Sequence, residues 1–412
     1  IRTQLKAVLY PQWLTINWLL VLVPIGIAVA QVDSIPAIAV FVINFLAIVP
    51  LAGILSYATE EIAMRVGETL GGLLNASFGN AVELIVGIIA LVKNEVIIVQ
   101  TSLIGSMLSN LLLVMGMCFF FGGMNRLEQN FNVIVAQTAA SLLALAFGCL
   151  IIPTAFTWGV GGSSKTNSDE KISRGTAIIM LIVYISYLIF QLKTHKEIYN
   201  TPSEKVEKRK GTNKDEGESI QALMRAGAGQ AAIIGGSINR ENLVHPVEED
   251  EEDPQLSLVG AMVTLAGSTA LVGVCAEFLV DSINKVTCQY HVSQYFVGLI
   301  LLPIVGNAAE HATAVTVGNP KSCKDKMDLA IGVAVGSSMQ IALFVLPLMI
   351  VLAWIIGGRD LTLVFDDFQI AVLFVAVLLV NYLISDGKSH WMEGVLLMSL
   401  YIIIATCSWF YP

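Results

Sequence analysis

Apolar residues in this chain come in long unbroken runs, not in stripes that recur every three or four positions. A run of about 20 apolar residues spans a bilayer core. About eleven such runs cover most of the chain, at 13–31, 35–59, 70–92, 96–121, 131–158, 174–193, 256–282, 292–318, 327–356, 364–384 and 390–411. Strands of a membrane barrel alternate over about ten residues, and these runs do not. The predicted fold class is therefore an all-α integral membrane protein with about eleven transmembrane helices.

One stretch breaks the pattern. Residues 194–255 hold Lys205, Lys208, Arg209 and Lys210, many Gly and Ser, and then the run Glu248, Glu249, Asp250, Glu251, Glu252 and Asp253. Low hydrophobicity with blocks of like charge predicts a flexible linker. It divides the chain into a first segment and helix (1–33), five helices (34–193), the linker (194–255) and five more helices (256–412). With the N-terminus in the cytoplasm, Arg2, Lys6, Arg65, Arg126, Lys321, Lys324, Lys326 and Lys388 fall on the cytoplasmic side with the linker. Lys93, Lys165, Lys171, Arg174, Lys285 and Arg359 fall on the other. The bias of eight against six over short loops favours this orientation, and places the C-terminus on the far side.

Composition agrees. The chain is 55% hydrophobic and 13% charged, where a soluble domain carries roughly a quarter charged residues. Its formal net charge of −9 argues against a nucleic-acid partner. The six cysteines include no CxxC pair, and a thiol in an apolar run behaves as a small hydrophobe; neither a disulfide framework nor a zinc site is expected. The chain opens on Ile1 rather than Met, so further residues are expected ahead of it. The first run lacks an Ala-x-Ala cleavage site and reads as a membrane helix, not a signal peptide. The glycosylation match at Asn75 abuts a membrane helix and reads as chance.

The two halves repeat each other. Gly79-Asn80-Ala81-Val82-Glu83 matches Gly306-Asn307-Ala308-Ala309-Glu310, and one helix later Gly105-Ser106-Met107-Leu108-Ser109 matches Gly336-Ser337-Ser338-Met339-Gln340. Glu60 and Glu277 each lie one helix earlier. Five-helix sets separated in this way enter the membrane from opposite sides, so the repeats are expected to be inverted, an architecture of transporters with a midplane site.

Glu83 and Glu310 sit near the middle of their runs. A charged residue at the centre of a membrane helix costs about 2.5–3.5 kcal/mol on insertion scales. No Lys or Arg shares those depths in the same spans, so a cation or a proton is the expected compensation. Asn80 and Asn307, three residues earlier, are expected on the same helix face. Gly79 and Gly306 weaken the helix and can free backbone carbonyls where the backbone binds an ion. Ser102, Ser106 and Ser109 recur at helical spacing, as do Ser337 and Gln340, and these faces are candidates to complete an oxygen shell. Ca2+ takes six to eight oxygen ligands, two carboxylates balance its charge, and no Cys or Met accompanies them to favour a soft metal. Burial disfavours the charged form of a carboxyl group, so Ca2+ and H+ are expected to compete for the same two groups. The bland alternative is a pair of protonated glutamates that merely bond neighbouring helices.

At these residues the chain resembles the cation/proton exchangers of the calcium/cation antiporter superfamily, and within it the fungal vacuolar Ca2+/H+ exchangers. The resemblance rests on Gly-Asn-Ala-Val-Glu-Leu-Ile-Val at 79–86, Gly-Asn-Ala-Ala-Glu-His at 306–311, Gly-Ser-Met-Leu-Ser-Asn-Leu-Leu-Leu-Val at 105–114 and Lys-Met-Asp-Leu-Ala-Ile-Gly-Val-Ala at 326–334. It implies eleven helices, the first outside the repeat, and Glu83 and Glu310 as Ca2+ ligands and proton carriers joined by the carbonyls of Gly79 and Gly306. It also implies a vacuolar membrane, Ca2+ moving into an acidic lumen, Mn2+ as a further candidate cargo, and no cofactor. Lys-Ser-Cys-Lys at 321–324 departs from the family pattern as an insertion.

Weaker features remain open. His311 points about 100° away from Glu310 and is either a proton relay, since imidazole titrates near neutral pH, or a polar helix contact. Glu60, Glu61, Glu277 and Asp281 either line entry paths or are solvated helix ends. The run 248–253 lacks the order of an EF-hand loop and reads as solvated charge, with Ca2+ attraction or regulation as the alternative. Asp366 and Asp367 are expected to cap a helix. A Na+- or K+-coupled Ca2+ exchanger is the nearest rival function. A channel is disfavoured by the repeat, and an enzyme by the absence of His-Glu-x-x-His, a paired Asp motif or a nucleophile elbow.

Overall fold

The apolar runs form helices in a computed structural model that describes residues 15–66, 68–124, 126–159, 167–195, 255–317, 327–357 and 360–412. The acidic run 248–253 and the basic triplet Lys321, Lys324 and Lys326 lie outside the described residues. In chain order the helices are α1 (Asn17–Ala30), α2 (Ala37–Val66), α3 (Glu68–Phe78), α4 (Ala81–Val92), α5 (Val96–Gly123), α6 (Val133–Gly159), α7 (Ser168–Thr194) and α8 (Leu258–Tyr290). Then come α9 (Gln294–Gly306), α10 (Ala308–Val317), α11 (Met327–Gln340, running on to Ile356), α12 (Asp367–Leu383) and α13 (Trp391–Phe410). Seven are long and apolar enough to cross a membrane, and α1, α4, α9 and α12 are shorter apolar helices.

Two expected spans are broken in the middle. The run 70–92 is α3 and α4 with a turn at Gly79 and Asn80, and 292–318 is α9 and α10 with a turn at Asn307. Other helices outrun their apolar cores: α2 continues to Val66 and α8 to Tyr290. Glu60, Glu61, Glu277 and Asp281 therefore sit inside helices, not at their ends, because polar turns stay helical beyond the apolar stretch. Stops and starts follow local chemistry. Left-handed residues end two helices, Asn94 (φ 63°) after α4 and His291 (φ 54°) after α8. Asp366 caps α12 by accepting the Phe368 N–H, as expected, and His390 with Glu393 forms a capping box on α13.

Four of the described helices carry a π-helical stretch, in which one extra residue is accommodated per turn: Ser109–Val114 in α5, Phe190–Thr194 in α7, Val297–Leu301 in α9 and Ile341–Val345 in α11. Those in α5 and α11 follow directly on the two Gly-Ser motifs.

One continuous apolar core draws on every helix but α3, whose Leu74 packs in a small second cluster with Ile62, Leu256 and Ala261, while large apolar side chains such as Ile152, Ile179, Leu378 and Ile403 point outward, as lipid-facing positions do. Exposed aromatics collect at helix ends: Trp158, Trp354 and Trp409 at one end of the bundle, Tyr382 and Trp391 at the other, the distribution of membrane-interface belts.

Loop contacts fix which ends share a face. On one face the short strands β1 (Gln129–Asn130) and β2 (Lys388–Ser389) pair, and Glu61 accepts the N–H groups of Gln255 (3.0 Å) and Leu256 (2.9 Å). On the opposite face Lys93 binds Asp281 and Glu277, Asn284 donates to Glu95 (2.6 Å), and Trp158 donates to Asp367 (3.0 Å). There the extended segment Leu361–Phe365 is buried between α5, α6 and α7. Its backbone is satisfied by side chains: Gln100 donates to the carbonyls of Thr362 and Val364, Ser173 accepts from Leu363, and Thr154 both donates to Leu363 and accepts from Phe365.

Candidate functional site

Glu83 lies in the first turn of α4 and Glu310 in the first turn of α10, each just past a helix break. A break at this point does two things. The positive end of the new helix favours the carboxylate, and the last carbonyls of α3 and α9 lose their intrahelical partners and become available to a cation.

Both carboxylate oxygens of Glu83 and one of Glu310 are buried without a hydrogen-bond partner, as are Oδ1 of Asn307 and Asn110. Buried polar atoms are nearly always paired, so a concentration of bare acceptors calls for a positive charge or a proton. Glu83, only 8% exposed, packs its carboxylate on the backbone of Gly306: a Cβ there would stand 2.5 Å from Oε1. The motif glycine of one half thus makes room for the motif glutamate of the other.

The asparagines are held crosswise. Asn80 Oδ1 accepts from Ser337 Oγ (2.7 Å), and Asn307 Nδ2 donates to the carbonyl of Ser106 (3.2 Å). Each sits in the turn itself and reaches the Gly-Ser motif of the opposite half, which leaves the Asn80 amide nitrogen unpartnered. Asn110 donates to Ser337 Oγ (2.8 Å) and extends this chain. Sequence reasoning passed over Asn110, although a buried amide inside Leu-Ser-Asn-Leu-Leu-Leu was a visible signal. Ser109 bonds His311 Nε2 (3.1 Å).

Most of the candidate shell divides between two cavities, neither of which Asn307 or Ser109 lines. One of about 470 Å³ is lined by Glu310, Gly79, Asn80, Ser337, Gln340 and Glu60, with Tyr184, Tyr187 and Gln191 of α7 on its wall. It lies toward the face that carries β1, β2 and Glu61. The other, of about 20 Å³, holds Glu83, Ser102, Ser106 and Gly306 with Leu279 of α8, room for about one water. The glycines following the two pairs differ in the same sense. A Cβ on Gly105 would collide with the carbonyl of Leu299 and with Pro303 Cγ (2.6 Å), whereas one on Gly336 would meet nothing within 4 Å. Glu277 and Asp281 are brought to neither glutamate and instead bind Lys93. Among the described residues no three His, Cys, Asp or Glu side chains cluster as a metal site.

The family profile described as sodium/calcium exchanger protein matches residues 36–193 and 260–410, both halves with their motifs. The chain belongs to this family. Among its curated members it is 46% identical to the vacuolar calcium ion transporter of Cryptococcus neoformans, over 99% of this chain and 75% of that one. It is 44% identical to that of Schizosaccharomyces pombe, over 96% and 85%, and 39% identical to the Ca(2+)/H(+) antiporter of Synechocystis, over 90% and 91%. Among solved structures, native YfkE is 31% identical with a TM-score of 0.71, covering 95% of this chain and 100% of that one. The H+/Ca2+ exchanger CAX shares the fold at a TM-score of 0.61 and 14% identity, over 96% and 91%.

Proposed function

We propose that this chain exchanges Ca2+ for H+ across an acidic-organelle membrane, the vacuolar membrane on the names of its fungal relatives, with Glu83 and Glu310 binding Ca2+ or protons in alternation. The observation that carries the reading is the set of bare carboxylate oxygens at two broken helices. Ca2+ bound there replaces its water shell with carboxylate, amide and carbonyl oxygens. When Ca2+ leaves, burial favours the neutral carboxyl group, so protons take its place. Each form is charge-balanced, and the unbalanced intermediate is the costly one. Gly79 and Gly306 supply carbonyls, Asn80 and Asn307 hold the two turns in register, and Ser102, Ser106, Ser337 and Gln340 line the approaches. His311, tied to Ser109, is assigned a proton-coupling role.

The architecture fitting this reading is a first helix followed by two inverted five-helix repeats, 34–193 and 256–412, joined by a cytoplasmic linker. Eleven crossings are reached by counting α3 with α4, and α9 with α10, as one span each. The loop contacts support that count: an even number of crossings separates Glu61 from Leu256, Gln129 from Ser389, and Lys93 from Asp281. The cavity that reaches Glu310 opens toward the face that carries β1, β2 and Glu61, so the reading makes this the cytoplasm-facing state, with the N-terminus cytoplasmic and the C-terminus lumenal.

Ca2+ uptake into liposomes, with the pH gradient imposed and the membrane potential clamped, tests the proposal. Uptake is expected to follow the pH gradient, need no Na+ or K+, and vanish in Glu310→Gln. Uptake driven by Na+ or K+ and indifferent to pH would establish the rival coupling instead, and full activity in Glu310→Gln would remove this residue from the mechanism.

A further inference from the structure

The face opposite the cavity beside Glu310 holds a vestibule of about 820 Å³, lined by Gln31 and Asp33 between α1 and α2 and by Phe278, Asp281, Ser282 and Lys285 of α8. The small cavity beside Glu83 reaches the same helix at Leu279. At the rim of the vestibule stands Lys93, bound to its lining residue Asp281. It caps the C-terminus of α4, ten residues from Glu83 on the same helix, about 15 Å along the axis. It binds Asp281, stands 3.7 Å from the Glu277 carboxylate, and donates to the Glu277 carbonyl at 3.5 Å. Glu95 and Asn284 join the same two helix ends one turn further on.

The geometry points to Lys93 as the latch of the far exit. The release path runs from Glu83, past Ser102, Ser106 and Leu279, to the vestibule at Asp281, and the Lys93 contacts to Asp281 and Glu277 hold α4 against α8 across it. In the opposite state the latch parts, α4 and α8 separate at this end, and Asp281 and Glu277 face an ion leaving Glu83. Glu60, the counterpart of Glu277 in the first half, already lines the cavity that is open here. Lys93 is thus a positioning residue that weights the two access states and leaves the ion site itself untouched. The inference rests on the reading that Glu83 holds the transported ion.

Side-specific thiol labelling of the full chain in liposomes tests it, in a background with the six native cysteines replaced. Two reporters are used, Val86→Cys in the small cavity and Val333→Cys in the cavity beside Glu310, each exposed to a membrane-impermeant maleimide from its own face. In Lys93→Ala, and independently in Asp281→Asn, Val86→Cys is expected to react faster and Val333→Cys slower, the ratio of the two rates rising about two- to fivefold, the range over which a solvent-reached ion pair shifts an equilibrium. Lys93→Arg keeps the starting rates. Unchanged rates, or rates that rise at both reporters as in a loosened bundle, would overturn the latch. Because labelling needs no ion gradient, that failure is distinct from failure of the transport reading, which the uptake assay decides.

Discussion

Gly306 brings the two halves into contact at the scale of single atoms. The atoms that an added methyl would strike are Oε1, Cδ and Cγ of Glu83, the mobile end of a side chain rather than backbone. Gly306→Ala is therefore expected to leave the thermal midpoint in detergent nearly unchanged and to lower apparent Ca2+ affinity at least tenfold, read by Ca2+ uptake against concentration. Ser337→Ala should act on stability instead. It strips a partner from both Asn80 and Asn110, and a buried polar group left unpaired costs about 1–3 kcal/mol, visible as a lower midpoint. At this scale the sequence told a good deal. A carboxylate in an apolar run names itself by its cost, and the paired Gly-Asn-Ala-x-Glu motifs named their partners. The crosswise attachment of the asparagines was not legible, because a helical period places Asn80 beside Glu83, whereas the chain leaves the helix at Asn80 and turns its amide to the other half.

The elements behave in pairs that are alike in chemistry and unlike in packing. α5 and α11 both pass from a Gly-Ser motif into a π-helical stretch, yet Gly105 is pressed against α9 and Gly336 is not pressed against anything. Gly105→Ala must displace backbone and the Pro303 ring, and overpacking of this kind typically costs about 1–3 kcal/mol. Gly336→Ala is expected to leave stability within about 0.5 kcal/mol, as substitutions outside tight packing do, while slowing turnover severalfold, since the opposite access state requires the packing now seen at Gly105. Unfolding midpoints and uptake rates of the two variants separate these effects; equal loss of stability in both would contradict them. Helix breaks and π-helical stretches escaped the apolar pattern because periodicity reports which face is buried, not where the ladder of backbone bonds shifts. The excess length of α2 and α8 escaped it too, since turns bearing Glu60, Glu61, Glu277 and Asp281 look like loops to a hydropathy window.

For the whole molecule, competition between Ca2+ and protons links binding to pH. If the ion displaces protons from Glu83 and Glu310, adding Ca2+ to the purified protein in weak buffer acidifies the solution, and apparent affinity falls as pH is lowered. Glu83→Gln and Glu310→Gln should each reduce the proton yield, and a pH-indicator titration reads it directly. Zero release from the unmodified protein would separate Ca2+ binding from proton uptake. The bundle of long apolar helices was legible from the chain, as hydropathy sets it. The unequal packing of the two Gly-Ser motifs was not, because two segments so alike in sequence do not say which of them is pressed against its neighbour.

Among the described residues the two halves meet along broad seams. α2 lies along α8, α5 against α13, and β1 against β2, while buried Glu61 grips the backbone at Gln255 and Leu256 and Arg65 donates to the Leu256 carbonyl. Covalent continuity between positions 195 and 255 is then expected to be dispensable for assembly. Two polypeptides, 1–195 and 255–412, produced together should co-purify and transport, the protein being in effect a heterodimer whose subunits happen to share one peptide chain.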